Sequence, residues 1–193
     1  MVSSGNVYMD KTGLVQDIIR TGALLWEKNL VAAFNGNLSA RFQEGVLLTA
    51  TGSCLGFLTE NHVAHVDLNG RTLNGIEPSS EKSLHLAVYG AFLSVNAVLH
   101  THTPYINAFF LKNGSFVPRT FEAERYLGRV QALDQETINV KDVGPVLQAL
   151  KHGKILVLRR HGVVSVGADL FECFARVQLL EEQIRIEALA RFF

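Results

Sequence analysis

The apolar run Val95-Asn96-Ala97-Val98-Leu99 leads straight into His100-Thr101-His102. A run of this length and composition reads as a strand. Successive strand residues point to opposite faces, so His100 and His102 share one face and Thr101 turns to the other. Two imidazoles at one strand end then converge on a point, and the rest of the fold must supply what surrounds it.

The remaining chain alternates short strand-like runs with helical stretches. Asp10 can cap a helix carrying Leu14, Val15, Ile18, Ile19 and Leu25 on one face. Residues 29–34 and 38–42 read as two short strands separated by the turn Asn35-Gly36-Asn37. Residues 46–50 form a strand that runs into Thr51-Gly52-Ser53, and residues 62–73 read as a hairpin about Asn69-Gly70. Glu77-Pro78-Ser79-Ser80-Glu81 then opens a helix, with serine at the cap and an acid in the first turn, followed by Leu84, His85, Val88 and Phe92 at helical spacing.

Beyond the His-Thr-His strand, residues 104–110 begin an apolar helix, while residues 116–139 show no clear period. Residues 143–150 are helical with Gly153 as a stop, and residues 155–158 and 163–167 are strands on either side of Arg159-Arg160-His161-Gly162. The last helix is the clearest element. Leu170, Phe174, Val177, Leu180, Ile184 and Ala188 form its apolar stripe, and Glu172/Arg176, Glu181/Arg185 and Glu187/Arg191 are spaced as i,i+4 pairs.

A length of 193 residues suits one sizeable core, so residues 1–193 are read as a single domain. Eighteen basic side chains balance eighteen acidic ones, which argues against nucleic acid and anionic membrane surfaces as partners. Cys54 and Cys173 are too few for a disulfide framework, and neither a signal peptide nor a transmembrane run stands out, so a cytoplasmic location is expected. The small, polar start over residues 1–6 predicts a frayed end.

The candidate site residues follow from these elements. His161, between two strands and followed by glycine, can join His100 and His102 as a third imidazole. Three neutral imidazoles with an open fourth position make a catalytic zinc site, whereas the spacing alone is equally compatible with ordinary polar packing of three histidines. His62 and His65 differ by an odd number of positions and are not expected to ligate. Ser79 and Ser80 add hydroxyls to a helix start, Thr51-Gly52 can form an anion nest, Gly36 permits close backbone approach, and Asn37 offers an amide.

Several blocks together carry a family resemblance: Gly36-Asn37-Leu38-Ser39-Ala40-Arg41, Leu48-Thr49-Ala50-Thr51-Gly52, Asp67-Leu68-Asn69-Gly70, Pro78-Ser79-Ser80-Glu81, Ala97-Val98-Leu99-His100-Thr101-His102 and His161-Gly162-Val163-Val164. In this order and spacing the chain resembles the class II aldolase/adducin family over about residues 12–190. The resemblance implies an α/β fold, a three-layer α/β/α sandwich with a mostly antiparallel central sheet, assembled as a homotetrameric ring with sites at the interfaces. It implies Zn2+ held by His100, His102 and His161, or another divalent metal in its place, with Glu81 as catalytic acid/base. It also implies a phosphate cradle from Asn37, Thr51, Gly52, Ser79 and Ser80, with Gly36 in the same turn as Asn37.

The reaction so implied is cleavage of a deoxyketose or ketose 1-phosphate to dihydroxyacetone phosphate and a short aldehyde. The alternatives are a sugar-phosphate epimerase or a methylthioribulose-1-phosphate dehydratase on the same scaffold, and a non-catalytic adducin-like binding module. Two positions depart from the family pattern: Phe34 stands before the Gly36 turn in place of a small residue, and Phe121 lies near the position of a tyrosine proton donor. Tyr105 and Tyr126 are the candidates to replace that hydroxyl.

Overall fold

The computed structural model describes residues 10–193, so the frayed start expected for residues 1–6 lies outside it. The first helix begins where its cap predicts: Asp10 Oδ1 accepts from the Gly13 amide at 2.7 Å and opens α1 (Lys11–Glu27). Its Val15, Ile18 and Leu25 are buried, which matches the apolar face read from their spacing.

Among the described residues eight strands form one sheet. They are β1 (Asn37–Phe42), β2 (Gly45–Thr49), β3 (Val63–Asp67), β4 (Ala97–Thr101), β5 (Ser115–Phe116), β6 (Val130–Asp134), β7 (Ile155–Arg159) and β8 (Gly162–Gly167), in the order β3-β2-β1-β4-β8-β7-β6-β5. Of these strands β6 and β7 pair in parallel, and the other pairings described are antiparallel. The remaining helices are α2 (Lys82–Ala91), α3 (Pro104–Phe110), α4 (Phe121–Leu127), α5 (Gly144–Leu150) and α6 (Leu170–Leu189).

Strands β2, β4 and β8 are buried along their whole length, so the sheet needs cover on both faces. It has that cover. One apolar core packs α1, α3, α4 and α6 against residues such as Leu38, Leu47, Leu99 and Val157, and a second packs α2 and α5 against Val46, Val66, Val98 and Val164. The result is the expected three-layer α/β/α arrangement around a mostly antiparallel sheet. Among the described residues no helix is long and apolar enough to cross a membrane.

Several local expectations are corrected. Residues 29–34 are not a strand: Asn29 and Ala33 take positive φ of 56° and 49°, and the Asn35 side chain accepts from the Ala32 amide, so the chain turns there. The 62–73 hairpin reduces to a single bridge between Val66 and Thr72, with His62 in a 3-10 turn. Residues 116–139, without a readable period, hold β5, α4 and β6. Thr120 caps α4 and Gly128 ends it at φ 58°, leaving an element two turns long. Glu181 is not paired with Arg185 by an ion pair; its two carboxylate oxygens accept from the Tyr105 and Ile106 amides at 2.9 Å each and cap α3.

Candidate active site

Strand β4 lies between β1 and β8, with Asn37 opposite His100 on one side and Val164 opposite it on the other. His100 is fully buried, and its Nδ1 lies 2.9 Å from the Val163 carbonyl oxygen. A carbonyl only accepts, so Nδ1 carries the proton and Nε2 presents a lone pair to the interior of the site. His102 follows the last strand residue on the same face, as the alternation predicts, and its Nε2 is 2.8 Å from His100 Nε2. Thr101 is buried on the opposite side.

His161 arrives from the β7–β8 hairpin. Arg160 takes a left-handed φ of 64° at the turn and the His161 amide bonds the Leu158 carbonyl, which aims the imidazole back over β4. Its ring centroid lies 4.7 Å from that of His100 and 5.0 Å from that of His102. One nitrogen from each of the three rings falls within 4.8 Å of the others.

Glu81 stands at the N-terminus of α2 and is buried with 7% exposure. Its Oε2 lies 3.2 Å from His100 Nε2 and accepts from Asn37 Nδ2 at 2.9 Å, while Oε1 lies 3.5 Å from His161 Nε2 and has no hydrogen-bond partner. The Ser79 amide bonds the Thr49 carbonyl, the Thr51 amide bonds the Glu77 carbonyl, and Ala50 bridges Pro78. These bonds tie the start of α2 to the end of β2 and hold Glu81 over the strand ends.

The electrostatics favour a bound cation. Burial, reinforced by the neighbouring rings of His102 and His161, holds His100 well below the ordinary imidazole value. Burial and the proximity of His161 push His102 down to about 4, against an opposing pull from Glu81. Both rings are therefore neutral at neutral pH, the form in which imidazole binds a metal. His100 Nε2 lies 3.2 Å from Glu81 Oε2, and the buried Glu81 Oε1 and His161 Nδ1 lack hydrogen-bond partners. The donor set of three imidazole nitrogens beside a carboxylate fits zinc.

The expected phosphate-binding residues divide in two. Gly36 has φ 83°, and a Cβ there would stand 3.0 Å from both the His100 carbonyl oxygen and Val31, so glycine is required where β1 enters beside β4. The Asn37 amide is engaged at both ends, by Glu81 and by His85, leaving one N–H unused. Thr51 and Gly52 form an exposed turn brought alongside the Ser79-Ser80-Glu81 segment by the Ala50–Pro78 bridge; Ser79 is buried and Ser80 exposed.

Phe34 is 71% exposed and Phe121 93% exposed. The Tyr105 ring is covered by the Arg185 guanidinium at 5.9 Å, and Tyr126 is exposed beside α6. His62 bonds Thr59 and His65 packs on Phe42, away from the three-imidazole cluster. The helical spacing of Leu84, His85, Val88 and Phe92 assigns His85 no role in the site. Its place four residues after Glu81, on the same helix face, was the available signal.

Residues 16–188 match the model of the Class II Aldolase and Adducin N-terminal domain family. The chain is 31% identical to the L-fuculose phosphate aldolase of Methanococcus vannielii, covering 93% of this chain and 98% of that one. It is 30% identical to the L-fuculose phosphate aldolase of Escherichia coli K12, covering 84% and 76%. Among solved structures, the L-fuculose-1-phosphate aldolase of Thermus thermophilus superposes with a TM-score of 0.85 at 27% identity, covering 93% and 94%. YgbL of Klebsiella pneumoniae, described as a putative aldolase/epimerase/decarboxylase, superposes with a TM-score of 0.80 at 28% identity, covering 92% and 89%. The chain belongs to the class II aldolase and adducin family, on its enzymatic, lyase side.

Proposed function

We propose that this enzyme is a zinc-dependent aldolase that cleaves a ketose 1-phosphate to dihydroxyacetone phosphate and a short aldehyde. The observation that carries this reading is the Glu81 carboxylate, buried within 3.2 Å of His100 and 3.5 Å of His161 at the mouth of a three-imidazole cluster. A non-catalytic binding module has no use for such a grouping of neutral, buried donors.

His100, His102 and His161 would hold the metal, which when bound supplies a Lewis acid that stabilises negative charge developing on the vicinal oxygens of the substrate. Glu81 moves a proton to or from the reacting carbon or hydroxyl through Oε1, the oxygen without a hydrogen-bond partner. Ser79, Ser80, Thr51 and Gly52, with the spare Asn37 N–H and the Gly36 turn, would anchor the phosphate at the far end of the sugar. Anchoring there converts binding energy into alignment. The free thiols Cys54 and Cys173 suit a reducing, cytoplasmic setting, and a homotetramer accords with the family.

A second reading, an epimerase or dehydratase on the same scaffold, draws support from Phe121, which is exposed and carries no hydroxyl to serve as proton donor. Metal analysis of the purified protein, followed by incubation with L-fuculose 1-phosphate and other ketose 1-phosphates and a coupled assay for dihydroxyacetone phosphate, separates the two. Triose phosphate release supports the aldolase. Bound zinc with an altered sugar and no triose phosphate transfers the assignment to the second reading, and a protein that cannot be loaded with metal overturns both.

A further inference from the structure

A buried file of polar side chains runs from Tyr89, near the C-terminal end of α2, to Glu81 at its start. Tyr89 OH lies 2.9 Å from Ser39 Oγ, Ser39 Oγ lies 2.7 Å from His85 Nδ1, His85 Nε2 lies 2.6 Å from Asn37 Oδ1, and Asn37 Nδ2 lies 2.9 Å from Glu81 Oε2. Ser39, His85 and Tyr89 are fully buried, and Asn37 is 7% exposed. Two turns of α2 supply Glu81, His85 and Tyr89 on one face, and alternate residues of β1 supply Asn37 and Ser39.

The polarity of this file is determined link by link. The Glu81 carboxylate only accepts, so Asn37 must turn its NH2 toward Glu81 and its carbonyl oxygen toward His85. That oxygen only accepts, so the proton of a neutral His85 sits on Nε2, and Nδ1 takes the Ser39 hydroxyl proton. Ser39 is then free to accept from Tyr89. Every donor points toward Glu81. The opposite tautomer of His85 would face its Nε2 lone pair with the Asn37 amide reversed, placing a carbonyl oxygen against the Glu81 carboxylate.

We propose that His85 is a positioning residue for Glu81: held by Ser39 in its Nε2–H form, it orients the Asn37 amide to donate to Oε2, leaving Oε1 as the oxygen that works on substrate. The proposal rests on the reading of Glu81 as the acid/base. Complete burial, reinforced by His100, pushes His85 down to about 4 against the opposing charge of Glu81, so the ring stays neutral at working pH. Such a chain of buried bonds polarises cooperatively toward its acceptor.

The test compares the zinc-loaded wild type with His85→Gln, which retains a donor near the Nε2 position, and His85→Asn, which is too short to reach Asn37. Long-range proton–nitrogen NMR of the wild type is expected to show His85 as the neutral Nε2–H form, and solvent exchange of the Asn37 side-chain amide is expected to be slow. His85→Asn should accelerate that exchange and lower kcat on L-fuculose 1-phosphate about 10- to 100-fold with KM within about threefold, at unchanged zinc content. His85→Gln should restore both most of the way. A His85 ring protonated on Nδ1, or a His85→Asn enzyme with wild-type kcat, overturns the proposal and leaves the aldolase reading standing. A wild type inert toward ketose 1-phosphates removes the aldolase reading, and the ring and amide signals still decide whether His85 orients Asn37. The wild-type spectra need no variant, so they decide the tautomer even where a substitution impairs folding.

Discussion

Gly162 packs directly against His100: a Cβ added there would stand 2.9 Å from His100 Cε1 and 3.0 Å from His102 Cδ2, and closer still to the Thr101 carbonyl oxygen. The backbone of β8 thus approaches the ends of two candidate ligands as closely as a glycine allows. Gly162→Ala must push β8 from β4 or tilt both rings. It is expected to weaken zinc binding at least about tenfold and to cost roughly 1–3 kcal/mol of stability, the usual range for overpacking. Competition titration with a chromophoric chelator and thermal melts check this, and unchanged zinc affinity would show that the hairpin yields without moving the ligands.

Glu81→Gln keeps the size of the side chain and an oxygen that can accept from Asn37, but removes the carboxylate proposed to exchange a proton. The variant should retain its capacity to bind metal and lose turnover. If its activity stays within about threefold of the wild type, Glu81 is not the acid/base.

Stability should fall with acid through His85. Its ordinary imidazole value is 6.5 and burial lowers it to about 4, so as pH falls below 6.5 the unfolded chain takes up a proton that the folded one refuses. Unfolding free energy therefore decreases from about pH 6.5 to pH 4, by up to about 3 kcal/mol from this residue, and levels off below. Urea midpoints of the metal-free protein at pH 7 and 4.5 measure it. His85→Gln should show a shallower decline over the same window; an equal slope would assign the acid sensitivity to other groups.

Glu181 reaches from α6 to the Tyr105 and Ile106 amides at the start of α3, immediately after the His102 segment. Removing an acceptor that serves two amides at a helix start, one on exposed Tyr105 and one on buried Ile106, costs about 1–3 kcal/mol. Glu181→Ala should lower Tm accordingly and accelerate amide hydrogen exchange at Tyr105 and Ile106. Exchange that stays slow at those two amides would mean that another protein acceptor, such as Thr103, takes over the cap.

The elements legible from sequence were those whose signal is local. Asp10 caps its helix from three residues away, the α6 stripe repeats over five turns, and the His-x-His alternation needs only a strand. The segment 116–139 failed because a two-residue β5 and a seven-residue α4 are too short to establish a period. Residues 29–34 read as a strand from their composition, yet the chain must turn there to bring Gly36 against β4. The Glu181/Arg185 spacing suited an ion pair, but unsatisfied amides of α3 lay within reach and took the carboxylate instead.

By itself the sequence determined which residue types are present for metal chemistry, the common face of His100 and His102, and the family to which the chain belongs. It did not determine their meeting. His161 joins the other two imidazoles because the β7–β8 turn and the β4–β8 register bring it there, and Glu81 joins them because backbone bonds from the 77–79 segment dock it on the end of β2. The direction of the Asn37 amide was decided last and only in three dimensions. It depends on a hydrogen-bond polarity passed from Tyr89 through Ser39 and His85, and no spacing along a chain records which end of an amide faces a carboxylate.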